Sequence, residues 1–220
     1  MGKEGIFIFL RSMAGINEYR QTLQPLIIAE AEKQFREQGI KSVTMEQISK
    51  TLHISKRTIY ELYTNKENIL IEVLQVSHKR KKIHMEEFAK HCNNVMDILI
   101  EVLRLQMESS ATTHPYFFRD LAKYPKAEKM LAKFQEEQQE ASSDFFERGV
   151  EEGYFLSNID FRTFMRIMSA MHLVLRNDGK LNTITFQELL NNYICVLMRG
   201  ICTQKGLVEL DQFLEQHITR

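Results

Sequence analysis

The stretch spanning residues 44–63, TMEQISKTLHISKRTIYELY, limits what this chain can fold into more than any other. Met45, Ile48 and Leu52 recur at helical i, i+3, i+7 spacing. Thr44 precedes them, where a hydroxyl accepts a free backbone N–H, and Glu46 and Gln47 add acceptors to the first turn. His53-Ile54-Ser55 then breaks the pattern. Ser55 is placed to cap a second short helix carrying Lys56, Arg57, Thr58, Ile59, Tyr60 and Tyr63. Two short helices joined by a tight turn, the second rich in basic, hydroxyl and aromatic groups, is how a helix-turn-helix enters the DNA major groove.

Charge agrees with that reading without proving it. The chain as a whole is neutral, with 29 basic and 29 acidic residues. From Arg20 to Lys66, however, eight Lys/Arg face five Asp/Glu, whereas the remainder is acidic by a similar margin. The 44% apolar content suffices for a sizeable core, and only three prolines and nine glycines favour long helices over a sandwich or barrel. Cys92, Cys195 and Cys202 form no CxxC, which points to reduced thiols in a cytoplasmic protein. Ile6 to Leu10 is too short an apolar run for a signal peptide, and no stretch nears a membrane span. The first twelve residues read as a start-site extension or an arm.

The remaining pattern is helical throughout. A first helix begins near Tyr19 and ends at Gln38-Gly39; Asn65-Lys66-Glu67 restarts a long helix that carries the basic run at residues 79–82. Four consecutive basic residues point all round a helix, so that run reads as a solvated face rather than a groove contact. Further helices follow over residues 95–108, 116–123, 126–151, 161–176, 186–202 and 207–217. The expectation is an all-α chain of nine or ten helices: an N-terminal extension (1–18), a three-helix DNA-binding domain (19–66) and a helical regulatory and dimerisation bundle (67–220).

The segments AEAEKQFREQGIKSVTMEQIS, SKRTIYELY and NKENIL together resemble the DNA-binding domain of the tetracycline-repressor (TetR) family, in register over about 50 residues. The family commonly has glycine at the turn, where this chain has His53, and a small residue where it has Arg57. Histidine is among the residues found at positive φ, so the turn survives; Arg57 alters the contacts, so no known operator carries over. The resemblance implies a DNA-binding set of Thr44, Met45, Ser55, Lys56, Arg57, Thr58, Tyr60 and Lys66. In it Tyr60 and Lys66 grip phosphate, and Arg57 can reach a base edge.

In such regulators the carboxy-terminal half typically holds a small-molecule effector. Candidates to line its site are Met96, Leu99, Leu103, Met107, Phe117, Phe145, Phe146, Met168 and His172; the same residues at helical spacing equally suit solid core. Flexible methionines favour an apolar or amphipathic ligand. Two late helices with wide apolar faces suggest a four-helix homodimer interface through Phe164, Met168, Leu189, Tyr193 and Leu197, with intrachain core as the alternative. The implied function is a repressor that binds a palindromic operator on double-stranded DNA as a homodimer and is released by the ligand. The alternative is a DNA-bound structural or division-associated protein without an inducer. No nucleophilic elbow, phosphate loop or HExxH is present, and the histidines and cysteines are badly spaced for a metal, so neither enzyme activity nor a metal or other cofactor is expected.

Overall fold

Side-chain caps set the helix starts. The computed structural model describes residues 16–177 and 184–217. Helix α1 is Ile16–Gln38, α2 Met45–Thr51, α3 Lys56–Leu62, α4 Lys66–His91, α5 Val95–Ala111, α6 Phe117–Leu121, α7 Pro125–Glu151 and α8 Phe161–Asn177. Helix α9 starts as Phe186–Leu189, passes through a π turn at Leu190–Ile194 and ends as Cys195–Ile201; α10 is Gln204–His217. The described residues are all-α, with ten helices and an amino-terminal helix-turn-helix, as the periodicity implies. The expected start-site extension or arm at residues 1–12 lies outside the described residues. Pro125 opens α7, one residue ahead of the expected start at 126, and there its missing N–H leaves no ladder bond unmade.

The chain divides into two units. Of the described residues, the first holds 16–79 and 112–131; the second holds 80–111, 132–177 and 184–217. In the first, Leu23, Ile27, Ala31 and Phe35 form one face of α1 and are fully buried. They meet Ile48 and Leu52 of α2, Ile59 of α3, and Ile69, Leu70 and Val73 of α4. Burying one such aliphatic side chain is worth about 1.5–3 kcal/mol, so this core is what holds the two short helices α2 and α3 against α1 and α4. Phe117 and Leu121 of α6 and Ala127 of α7 join the same core. Gly39 ends α1 at φ +80°.

In the second unit the core runs from Val95, Met96, Leu99 and Leu103 of α5 to Phe146 of α7, then Leu190, Cys195, Met198 and Ile201 of α9 and Leu210, Phe213 and Leu214 of α10. The link after α7 is pinned by backbone bonds: the Leu156 N–H donates to Ile201 O (2.9 Å) and the Thr203 N–H to Tyr154 O (2.9 Å). Glu101 on α5 is buried and satisfied by Arg104 (2.6 Å) and by the His84 ring at 2.5 Å. Hydrogen bonding from Arg104 holds its carboxyl below the usual range; burial opposes this and His84 adds to it.

Candidate nucleic-acid interface

The α2 start is a reciprocal capping box. The Gln47 N–H donates to Thr44 Oγ1 (3.1 Å), and the Thr44 N–H donates to Gln47 Oε1 (2.7 Å). At the other end, the Ile54 N–H reaches Ser49 O (3.0 Å) and the His53 N–H reaches Lys50 O (3.1 Å). These are the two bonds of a Schellman motif. Its left-handed residue is His53, at φ 54°, where most chains place glycine. Ser55 then caps α3 by accepting from the Thr58 N–H (3.0 Å). Turn and caps together fix the angle at which α3 leaves α2.

Within α3 the residues sort by face. Ile59 is fully buried, whereas Lys56, Arg57 and Tyr60 are exposed and Thr58 is half-buried. Acids that the sequence reading did not assign to the site hold these cations. Lys56 Nζ lies 2.5 Å from Glu46 Oε1 and over the Tyr60 ring. The Arg57 Nε–H donates to Glu61 Oε1 (2.7 Å), and Arg20 of α1 donates to the other Glu61 oxygen (2.9 Å). Glu61 is one turn from Arg57 and its pairing follows from i, i+4 spacing; its bond to Arg20 needs the fold. Met45 of the expected DNA set is buried in the first core, since the first residue of α2 faces inward.

The Lys66 ammonium is committed to the protein. It donates to Ile40 O (2.7 Å), Val43 O (2.7 Å) and Lys41 O (3.3 Å), closing the link between α1 and α2. Burial lowers its pKa and the charge of Asp120 opposes that shift. Asp120 itself accepts from the Lys41 N–H (2.8 Å) and from Lys123 (3.1 Å). Burial, the largest single influence, raises its pKa, but those two bonds and the charges of Lys123 and Arg119 together outweigh it and the carboxyl stays more acidic than usual. The His114 N–H donates to Arg36 O (2.6 Å), and Arg36 donates to Thr113 (3.1 Å). Thus residues 113–123 and Lys66 together hold the link that positions Thr44. Residues tens of positions apart meet here, and no sequence spacing announces it.

Most of the residues nominated for ligand binding are packed in core. Met96, Leu99 and Leu103 are buried, and Met107 and Phe145 pack against them. Phe117 belongs to the first unit's core, while His172 has its backbone in α8 and its side chain outside those described. Phe146 stacks on Phe161 (centroids 4.4 Å apart, planes 8° apart). These two rings, with Ser142, Met165 and the exposed Glu136, Ser143 and Arg162, line a surface pocket of about 480 Å³ that is open to solvent. Among the described side chains of the nominated set, Phe146 lines it. Of the dimer set, Phe164, Met168, Leu189, Tyr193 and Leu197 are half-buried, and the Tyr193 hydroxyl donates to Met168 Sδ (3.4 Å). Exposed apolar residues lie on the same two helices: a stripe of Ile167, Met171 and Val174 on α8, and Val196 separately on α9. Ile167, Met171 and Val174 stand at i, i+4, i+7, a spacing visible in the sequence. Among the described residues, no helix is long and apolar enough to cross a membrane.

Residues 27–73 match the family model for bacterial regulatory proteins of the tetR family. No curated protein sequence matches the chain. Among solved structures, a TetR-family regulator from Agrobacterium tumefaciens is 16% identical at a TM-score of 0.63, covering 84% of this chain and all of its own (100%). A regulator from Saccharomonospora viridis, in complex with choline, is 16% identical at 0.61, covering 91% of this chain and 99% of that one. A transcriptional regulator from Cytophaga hutchinsonii is 16% identical at 0.58, covering 87% and 96%. At such identities the likeness establishes the fold alone.

Proposed function

We infer from residues 27–73, which belong to the tetR family of bacterial regulatory proteins, that this transcriptional regulator acts as a homodimeric repressor of a palindromic operator. A small amphipathic ligand releases it. The observation that carries the reading is the exposed face of α3, with Lys56, Arg57 and Tyr60 outside and Ile59 locked inside. One such helix reads few base pairs, so specific binding calls for two copies on successive turns of one duplex face. The exposed stripe Ile167, Met171 and Val174 along α8 supports a second copy, because an apolar helix face of that kind is rarely left in water.

Thr44, Ser55, Lys56, Arg57, Thr58 and Tyr60 form the contact surface, with the backbone N–H groups at the start of α2 beside Thr44 available to a phosphate. Lys66 acts on DNA indirectly, by fixing the Ile40–Val43 link. The effector site is the pocket beside Phe146 and Phe161, whose stacked rings suit an apolar body and whose Arg162 and Glu136 suit a polar end. Occupancy changes operator affinity only by the ligand's differential affinity for two arrangements, typically about 5- to 150-fold.

Footprinting of the chain's own upstream DNA, with and without a metabolite extract, tests this. A two-fold-symmetric protected site that the extract weakens is expected. Protection that no extract changes would favour the inducer-free structural reading; absence of any protected site on that DNA or on a random library would refute operator binding.

A further inference from the structure

Arg57 is 88% exposed at its side chain, yet it is not left to wander. Its Nε–H is tied at 2.7 Å to Glu61 Oε1 one turn further along α3. The second oxygen of that carboxylate is held at 2.9 Å by Arg20, from α1, 41 residues earlier. The acceptor is therefore anchored to two helices, and its own position is set by the fold rather than by α3 alone. A guanidinium has five donors in a rigid plane. Using Nε–H on Glu61 leaves the two terminal nitrogens, the pair whose spacing matches O6 and N7 of guanine.

We propose that Glu61 is a positioning residue that pre-orients Arg57 for bidentate reading of one guanine in each half-site. This rests on the DNA-binding reading above. The device suits a recognition helix that carries a long arginine, because rotamer freedom is restrained before DNA arrives and less is lost on binding. The carboxylate stands beside the arginine on the DNA-facing helix, so it also repels phosphate. Its two effects have opposite signs: it weakens sequence-independent binding and sharpens base choice.

Those signs separate positioning from mere structure. Wild-type full-length protein is first used to select duplexes from a random library; affinities are then measured by fluorescence anisotropy on the selected duplex, on versions with each guanine changed to adenine, and on random-sequence duplex. The wild type is expected to prefer one guanine per half-site by roughly tenfold. Glu61→Gln should cut that preference severalfold while tightening binding to random duplex. Arg57→Lys, which keeps the charge, should lose the preference as well. Arg20→Gln removes the α1 tie and loosens the acceptor without removing it, so its preference should fall between those of wild type and Glu61→Gln, and thermal melts show whether each variant is folded. Glu61→Gln retaining the guanine preference would overturn the proposal. So would a preference lost in Glu61→Gln but kept in Arg57→Lys, since the carboxylate would then be reading the base itself. Equal loss in Arg20→Gln and Glu61→Gln, tracking their melting temperatures, would mark a structural effect and overturn it too. A wild type that selects no sequence at all would sink the DNA reading itself.

Discussion

Replacing Lys66 with methionine keeps most of the side-chain stem and deletes only the ammonium. Two carbonyls, on the fully buried residues Ile40 and Val43, then lose donors at 2.7 Å, and Lys41 O loses a longer one at 3.3 Å. Hydrogen bonds from a charged group contribute about 1.5–3 kcal/mol each, so the two short bonds gross about 3–6 kcal/mol. The half-buried ammonium gives some of that back in desolvation, the effect that lowers its pKa. A net loss of about 2–3 kcal/mol is reasonable, and at about 2–4 °C per kcal/mol for a chain of this size the melting temperature should fall by about 5–10 °C. Differential scanning calorimetry on wild type and Lys66→Met measures that directly. The paired assay is operator affinity against salt. A lysine inside the link leaves the slope of log affinity against log salt unchanged, whereas a phosphate-gripping lysine lowers it by about one. A melting temperature within about 2 °C of wild type, together with a flattened slope, would refute the structural role and restore the phosphate role that the family resemblance implies.

Three further outcomes are expected. A Cβ at Gly149 would lie 2.1 Å from Phe155 Cδ2, so Gly149→Ala forces that packed ring aside; urea melts should show a loss of about 1–3 kcal/mol. The depressed carboxyl of Glu101 means its contribution is complete above the ordinary carboxylate range and fades as pH falls through its lower folded value. Glu101→Gln should therefore cost about 1–3 kcal/mol at pH 7 in denaturant melts, with the gap to wild type closing below about pH 4. Ile167→Asp, in the exposed stripe of α8, should convert a dimer to the 25.9 kDa monomer in analytical ultracentrifugation while far-UV circular dichroism stays helical; an unchanged mass would remove α8 from the interface.

The sequence alone determined the order and kind of the elements, because the forces that set them are local. Thr44 and Ser55 cap helices three residues on, His53 takes the left-handed turn, and apolar residues recur at the helical period; each depends on neighbours within one or two turns. The recognisable match over residues 27–73 has the same origin: a small three-helix domain leaves few ways to place its core and its turn. Tertiary structure decided which residues meet across helices. Lys66 turned into the α1–α2 link, Asp120 reached Lys41, and Arg20 found Glu61, over separations that no periodicity encodes. It also decided that Met96 and Phe117 are core in different units, and that Phe146 and Phe161 border a pocket. An apolar helical position says only that a side chain leaves water. Whether it meets another helix, a second copy or a cavity depends on how helices pack, and that is fixed by the shape of the whole core.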